Sequence, residues 1–288
     1  MFELVTVNTK DGLLLKGLYA KGLQNKPVVI QLHGYSQDFF QNEFILKIAN
    51  KLQEHQIGFL SVMIRGTGTE FRIFTTSKNA RMYGAKHELL EEAYLDIDAW
   101  IQLLADAGHN QIILQGHSLG SIKAIRYLIE GSFAYKISQL ILLSPYDKNY
   151  LIREYTKDRL GEYLQKAQLK IANGKGLEQV PDLFSPTPST YQNYFSFYMD
   201  SDLSNLFNFH QPDYSFPILQ KIEIPTLMLV GKKDPYFHPS NPDHPEEALE
   251  MLDRSIKNFH GESIDGAKHR FLGKEDLLAN LILDFVQG

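Results

Sequence analysis

The chain has 288 residues, 43% of them hydrophobic and 22% charged, and a formal net charge of -5. That suffices for one sizeable core with an insertion and excludes wholesale disorder, while the mild acidity and the lack of a Lys/Arg run argue against a nucleic-acid partner. The absence of cysteine excludes disulfides, a thiolate nucleophile and Cys-ligated metals.

In chain order, an opening hairpin is expected over residues 2–9 and 13–19. Its turn is Lys10-Asp11-Gly12, where the Asp-Gly pair supplies a positive φ. The start, Met1-Phe2-Glu3-Leu4-Val5, has no basic segment ahead of an apolar run, and no stretch approaches the roughly 18 apolar residues of a spanning helix. A cytoplasmic chain with no membrane partner is the expectation. Strand-like runs then alternate with helical patterns, the signature of a mainly parallel sheet. Strands are expected at 27–32, 58–64, 111–115, 137–143, 226–230 and 258–264, and helices at 42–55, 87–107, 118–130, 245–255 and 274–285. Residues 65–85 read as a loop carrying Arg65-Gly66-Thr67-Gly68.

The rhythm breaks between Lys148 and Pro217. One charged helical segment (151–171) is followed by Gly174, Gly176, Pro181, Pro186 and Pro188, then by Tyr191, Tyr194, Phe195, Phe197, Tyr198, Phe207 and Phe209. Such a stretch is far longer than an ordinary connection and reads as a cap inserted over the carboxyl edge of the sheet. The expected division is a core of 1–147 and 218–288 with a cap of 148–217. The aromatic residues either shape a pocket for an aryl or apolar acyl group or pack the cap onto the body.

Gly116-His117-Ser118-Leu119-Gly120 matches G-x-S-x-G between a strand and a helix. A strand reversing into a helix within about one residue strains the serine backbone, exposes its hydroxyl at a helix N-terminus and needs small residues on either side. Ser118 is thus the candidate nucleophile, and a serine hydroxyl needs a base. Of ten histidines, His269 alone follows the last strand and precedes the final helix. His238, His244 and His260 read as loop or surface residues, and His33 as structural. The acid that orients the base is Asp234, closing Gly231-Lys232-Lys233-Asp234 after an apolar strand, with Asp147 as its rival. The oxyanion donors are the N–H of Leu119 and that of Tyr35 in His33-Gly34-Tyr35-Ser36, with Ser36 as the alternative. No histidine spacing suggests a metal ligand, and neither a metal nor another cofactor is expected.

HGYS at 33–36, RGTG at 65–68, GHSLG at 116–120, GKKD at 231–234 and GAKH at 266–269 resemble, in order and interval, the α/β-hydrolase superfamily. The resemblance runs from about residue 27 to the C-terminus. It implies an α/β fold, a mostly parallel central sheet flanked by helices with an inserted cap, and a Ser118–Asp234–His269 triad. The longer runs at 114–123 and 142–145 resemble a branch shared by bacteria and fungi that includes fungal siderophore ester hydrolases. A serine nucleophile argues against the dehalogenase and epoxide hydrolase relatives, which use an aspartate. The expected reaction is cleavage of a small-molecule carboxylic ester through an acyl-Ser118 intermediate. The alternative is a thioesterase or acyl-transferring cyclase, with an acyl carrier protein as partner. A non-catalytic binding protein on the same scaffold is the reading from another class. The sequence leaves the oligomeric state open.

Overall fold

Apolar runs such as Val28-Val29-Ile30 leave no face of a strand for water, so the sheet they build must be covered on both sides. The structure, a computed structural model, describes residues 2–199, 201–211 and 213–288. Met1, Asp200 and Pro212, which fall within the expected core and cap spans, lie outside the described residues.

An antiparallel hairpin, β1 (Phe2–Asn8) and β2 (Leu14–Ala20), turns at Gly12 with φ 87°. Next come β3 (Val28–Leu32), α1 (Glu43–Glu54), β4 (Gly58–Val62), a small hairpin of β5 (Phe71–Phe74) and β6 (Ala80–Tyr83), and α2 (Ala93–Asp106). β7 (Ile112–His117), α3 (Leu119–Glu130) and β8 (Ile137–Leu143) complete the first part. The intervening segment holds α4 (Lys148–Thr156), α5 (Leu160–Ala172) and α6 (Tyr191–Tyr198). The chain ends with β9 (Thr226–Gly231), α7 (Pro245–Asp253), β10 (Phe259–Ile264) and α8 (Glu275–Gln287).

Among the described residues, eight strands form one sheet in the order β1-β2-β4-β3-β7-β8-β9-β10. From β4 to β10 every neighbour is parallel, and β2 joins β4 antiparallel. Alternate residues of each central strand enter opposite layers. Val28, Ile30 and Leu32 pack with Trp100 of α2 and Ile122 of α3, whereas Val29 packs with Phe44 of α1 and Ile282 of α8. β3 pairs with β4 on one side and β7 on the other. The chain order reverses there, which opens a crevice at the carboxyl ends of β3 and β7, where ligands enter such sheets.

Three expectations are corrected. Residues 65–85 contain the β5–β6 hairpin, which is hard to see because only Ile73 of β5 is buried and no apolar alternation marks it. The helix expected from residue 87 begins as a 3-10 turn at Leu90–Glu92 and becomes α-helical at Ala93. The single helix expected over 151–171 is two, because Lys157 and Asp158 both adopt positive φ (47° and 65°), which no helix interior tolerates.

Candidate active site

Ser118 lies between β7 and α3 with φ 55° and ψ -119°, a strained conformation for a side-chain-bearing residue. Its N–H donates to the Leu143 carbonyl at 2.8 Å, which fastens the turn to the neighbouring strand. The flanking glycines are needed sterically. A Cβ on Gly116 would lie 2.3 Å from the Gly120 backbone, and one on Gly120 would lie 2.4 Å from the Leu32 carbonyl. The chain therefore crosses itself at distances only glycine permits.

The loops after β9 and β10 are drawn together in the same way. Lys233 N–H donates to the Ala267 carbonyl at 2.9 Å, and a Cβ on Gly231 would meet that same oxygen at 2.7 Å. This contact brings Asp234 and His269 into register. Asp234 Oδ2 lies 2.8 Å from His269 Nδ1, and His269 Nε2 lies 3.0 Å from Ser118 Oγ. The Asp234 carboxylate is buried and takes a second hydrogen bond, on Oδ1, from the Tyr236 N–H. Tyr236 also sets its ring edge-on to His269, with centroids 5.0 Å apart.

Asp147 goes elsewhere. Its Oδ1 accepts from Tyr150 N–H as the N-cap of α4, and its Oδ2 lies 3.7 Å from His210. Tyr35 follows β3, and its loop packs on the elbow: a Cβ on Gly34 would lie 3.1 Å from Ser118 Cβ. Among the described residues, the amide N–H groups of Tyr35 and Leu119 make no hydrogen bond within the protein. For Leu119 this follows from its place in the first turn of α3.

Two histidines beside the site are fully buried. His117 Nε2–H donates to the His269 carbonyl at 2.9 Å, and burial, with the His269 charge beside it, lowers its pKa to about 3. His33 Nδ1–H donates to the Gly34 carbonyl, and burial, followed by the Lys123 charge, lowers its pKa to about 3 as well. Both are therefore neutral scaffolding near pH 7. His238, expected in a loop or at the surface, lies in the loop after β9 and is buried against the Phe209 ring, whereas His260 is exposed.

A cavity of about 310 Å³ opens on Ser118 and His269. Tyr35, Tyr146 and Tyr236 wall it from the sheet side, and Lys148, Phe197 and Tyr198 from the α4–α6 segment. The aromatic stretch thus divides. Tyr191 and Tyr194 pack with Tyr163 and Phe184 in a core of their own, Phe207 and Phe209 join the main core, and Phe197 and Tyr198 reach the cavity. Sequence reasoning missed His117, Tyr236 and Lys148. Each stands within two residues of a named position, but nothing local says which way it faces. Among the described residues, no group of three or more His, Asp or Glu is placed to hold a metal, and no helix is long and apolar enough to cross a membrane.

Solved structures share this architecture. Est1E from Butyrivibrio proteoclasticus, solved with ferulic acid bound, superposes with a TM-score of 0.66 at 16% identity, covering 98% of each chain. The esterase Pf2001 of Pyrococcus furiosus gives 0.61 at 19% identity, over 100% of this chain and 90% of its own. The alpha/beta hydrolase GrgF from Penicillium sp. sh18 gives 0.69 at 16%, over 100% and 98%. The fold is thus that of the α/β hydrolases. No curated protein sequence matches the chain. A family described as "Protein of unknown function (DUF1749)" matches residues 28–286, and the chain belongs to that family, built on the α/β-hydrolase fold.

Proposed function

We propose that the protein is a serine hydrolase that cleaves carboxylic esters through an acyl-Ser118 intermediate. The observation that carries this reading is the chain of contacts from Ser118 Oγ through His269 to the buried Asp234 carboxylate, at 3.0 and 2.8 Å, on a strained elbow facing a cavity.

In the first step Ser118 Oγ attacks the ester carbonyl carbon while His269 Nε2 takes the hydroxyl proton. Asp234 accepts from Nδ1–H, holds the ring in that tautomer and stabilises the imidazolium. The negative charge on the carbonyl oxygen is received by the Tyr35 and Leu119 N–H groups, aided by the positive end of α3. Collapse breaks the ester C–O bond, and the Nε2 proton leaves with the alcohol. Water then attacks the acyl-enzyme, gives a proton to His269 and releases the acid, with Ser118 reprotonated. The segment 148–217 acts as the cap that walls the cavity and selects the substrate. Esterase neighbours on the same fold support the reaction class.

The test is labelling by a fluorophosphonate together with turnover of a chain-length series of p-nitrophenyl esters. Labelling at Ser118, with turnover lost in Ser118→Ala at unchanged melting temperature, is the expected result. Turnover of acyl thioesters alone would replace the ester by a thioester. No labelling at Ser118 would overturn the catalytic reading.

A further inference from the structure

Lys148 is the first residue of α4, it is 4% exposed, and its side chain lines the cavity that holds Ser118 and His269. Its ammonium donates to the Phe197 carbonyl at 2.5 Å and to Asn149 Oδ1 at 2.9 Å. An ammonium carries three N–H donors; these neutral acceptors take two, and the Tyr198 ring, its centroid 5.5 Å from Nζ, stands beside it without neutralising the charge. Among the described residues no carboxylate lies within ion-pair distance of it. The adjacent Asp147 is committed to the α4 cap and lies toward His210. Two other buried cations are paired, Arg65 with Asp96 at 2.7 Å and Lys123 with Glu88 at 2.5 Å, whereas Arg126 donates to the Leu203 carbonyl at 3.2 Å and does not line the cavity. Among the described residues, no aspartate or glutamate lines the cavity, and Lys148 is its only lysine or arginine.

A strut between α4 and α6 would not need a charge. A neutral side chain could bridge to Phe197 and Asn149 without the several kcal/mol that burying an unpaired ion costs. Burial, with the Arg126 charge adding to it and the Asp147 charge opposing it, lowers the Lys148 pKa to about 7. Desolvation thus favours the neutral amine, and an anion bound beside it would restore the charge.

We infer that Lys148 is a specificity-determining residue that receives a carboxylate of the substrate, so the preferred ester is one that carries a free acid on its acyl or alcohol half. This rests on the hydrolase reading for the identity of the ester, but the binding of the carboxylate can be measured without turnover. The aromatic walls fit the remainder of such a molecule, and the bound carboxylate would supply the missing partner of the ion pair.

The experiment measures dissociation constants by calorimetry on full-length Ser118→Ala, which holds the esters uncleaved. One pair carries the acid on the acyl half: monophenyl glutarate against phenyl pentanoate. The other carries it on the alcohol half: 4-carboxyphenyl butanoate against phenyl butanoate. In at least one pair the acid should bind about tenfold tighter or more, the scale of a charged hydrogen-bonded pair. Adding Lys148→Met should abolish that ratio. The ratio is taken within each variant, so a general loss of affinity cancels, and the Ser118→Ala ratio stands even if the double variant does not fold. Equal or weaker binding of both acids would make Lys148 a strut, and a preference surviving Lys148→Met would assign the carboxylate to another group. Fluorophosphonate labelling of the wild-type protein reports separately on the hydrolase reading, so the two can fail independently.

Discussion

Replacing the Asp234 carboxylate by an amide keeps its size but removes the charge that, in the proposed mechanism, balances an imidazolium, and it lets the side chain offer an N–H where that mechanism needs an acceptor. Asp234→Asn should therefore lower kcat for a simple ester by about 10³–10⁴-fold with little change in KM. Asp147→Asn should retain most of the rate, because asparagine still caps α4. Steady-state kinetics on the two variants, compared with their melting temperatures, checks both expectations. At this scale the sequence was informative where a motif constrains the backbone. The elbow around Ser118 needs its glycines, and the base and acid follow strands in a set order. The sequence ranked Asp234 above Asp147 by chain position alone, whereas the contact itself depends on the Gly231–Ala267 approach that draws the Asp234 loop toward His269.

Among the elements, α3 is held to the loop ahead of α2 by Lys123 and Glu88, both buried, with their side chains at 2.5 Å. Burial raises the Glu88 pKa and the Lys123 charge opposes it. Gly66 lies against this carboxylate so closely that a Cβ would sit 2.2 Å from Glu88 Oε2. Removing one partner strands the other charge. Lys123→Met and Glu88→Leu should each destabilise the fold by about 3–5 kcal/mol, and the double variant by less than the sum of the two. Urea unfolding of all three checks this, and strict additivity would mean that the ions do not interact. Gly120→Ala tests the elbow's steric claim. With a Cβ placed 2.4 Å from the Leu32 carbonyl, backbone must move, and a loss of about 3 kcal/mol is expected. Gly161→Ala, with open space around it, should be neutral or slightly stabilising. The elements themselves were legible where apolar period and length agree, as in β3, β7 and α8. The β5–β6 hairpin and the α4–α5 break were not, because both are made mostly by exposed residues whose conformation is settled by local turns.

Over the whole molecule, the buried histidines set a dependence of stability on pH. His33 and His117 have pKa values lowered to about 3 in the fold, against about 6.5 for the unfolded chain. Between those values the unfolded state binds protons that the native state refuses. Their contribution is therefore complete above about pH 6.5 and is lost as pH falls toward 3, at about 1.4 kcal/mol per pH unit for each ring. Urea midpoints measured at pH 7.5, 6 and 5 should fall accordingly, and His117→Gln should make the decline shallower. An unchanged slope would mean that His117 is protonated in the native state.

The sequence by itself determined the parallel sheet, since continuous apolar strands alternating with amphipathic helices can be buried in few other ways, and it set the elbow and the order of the proposed acid and base along the chain. The tertiary structure alone decided that Asp147 turns away to α4, that Tyr236 and His117 brace His269, and that Lys148 faces the cavity with no carboxylate, among the described residues, at ion-pair distance. The reason is physical. Periodicity and turn chemistry act between neighbours in the chain, whereas the burial of a charge and the pairing of its partner depend on groups brought together from distant segments.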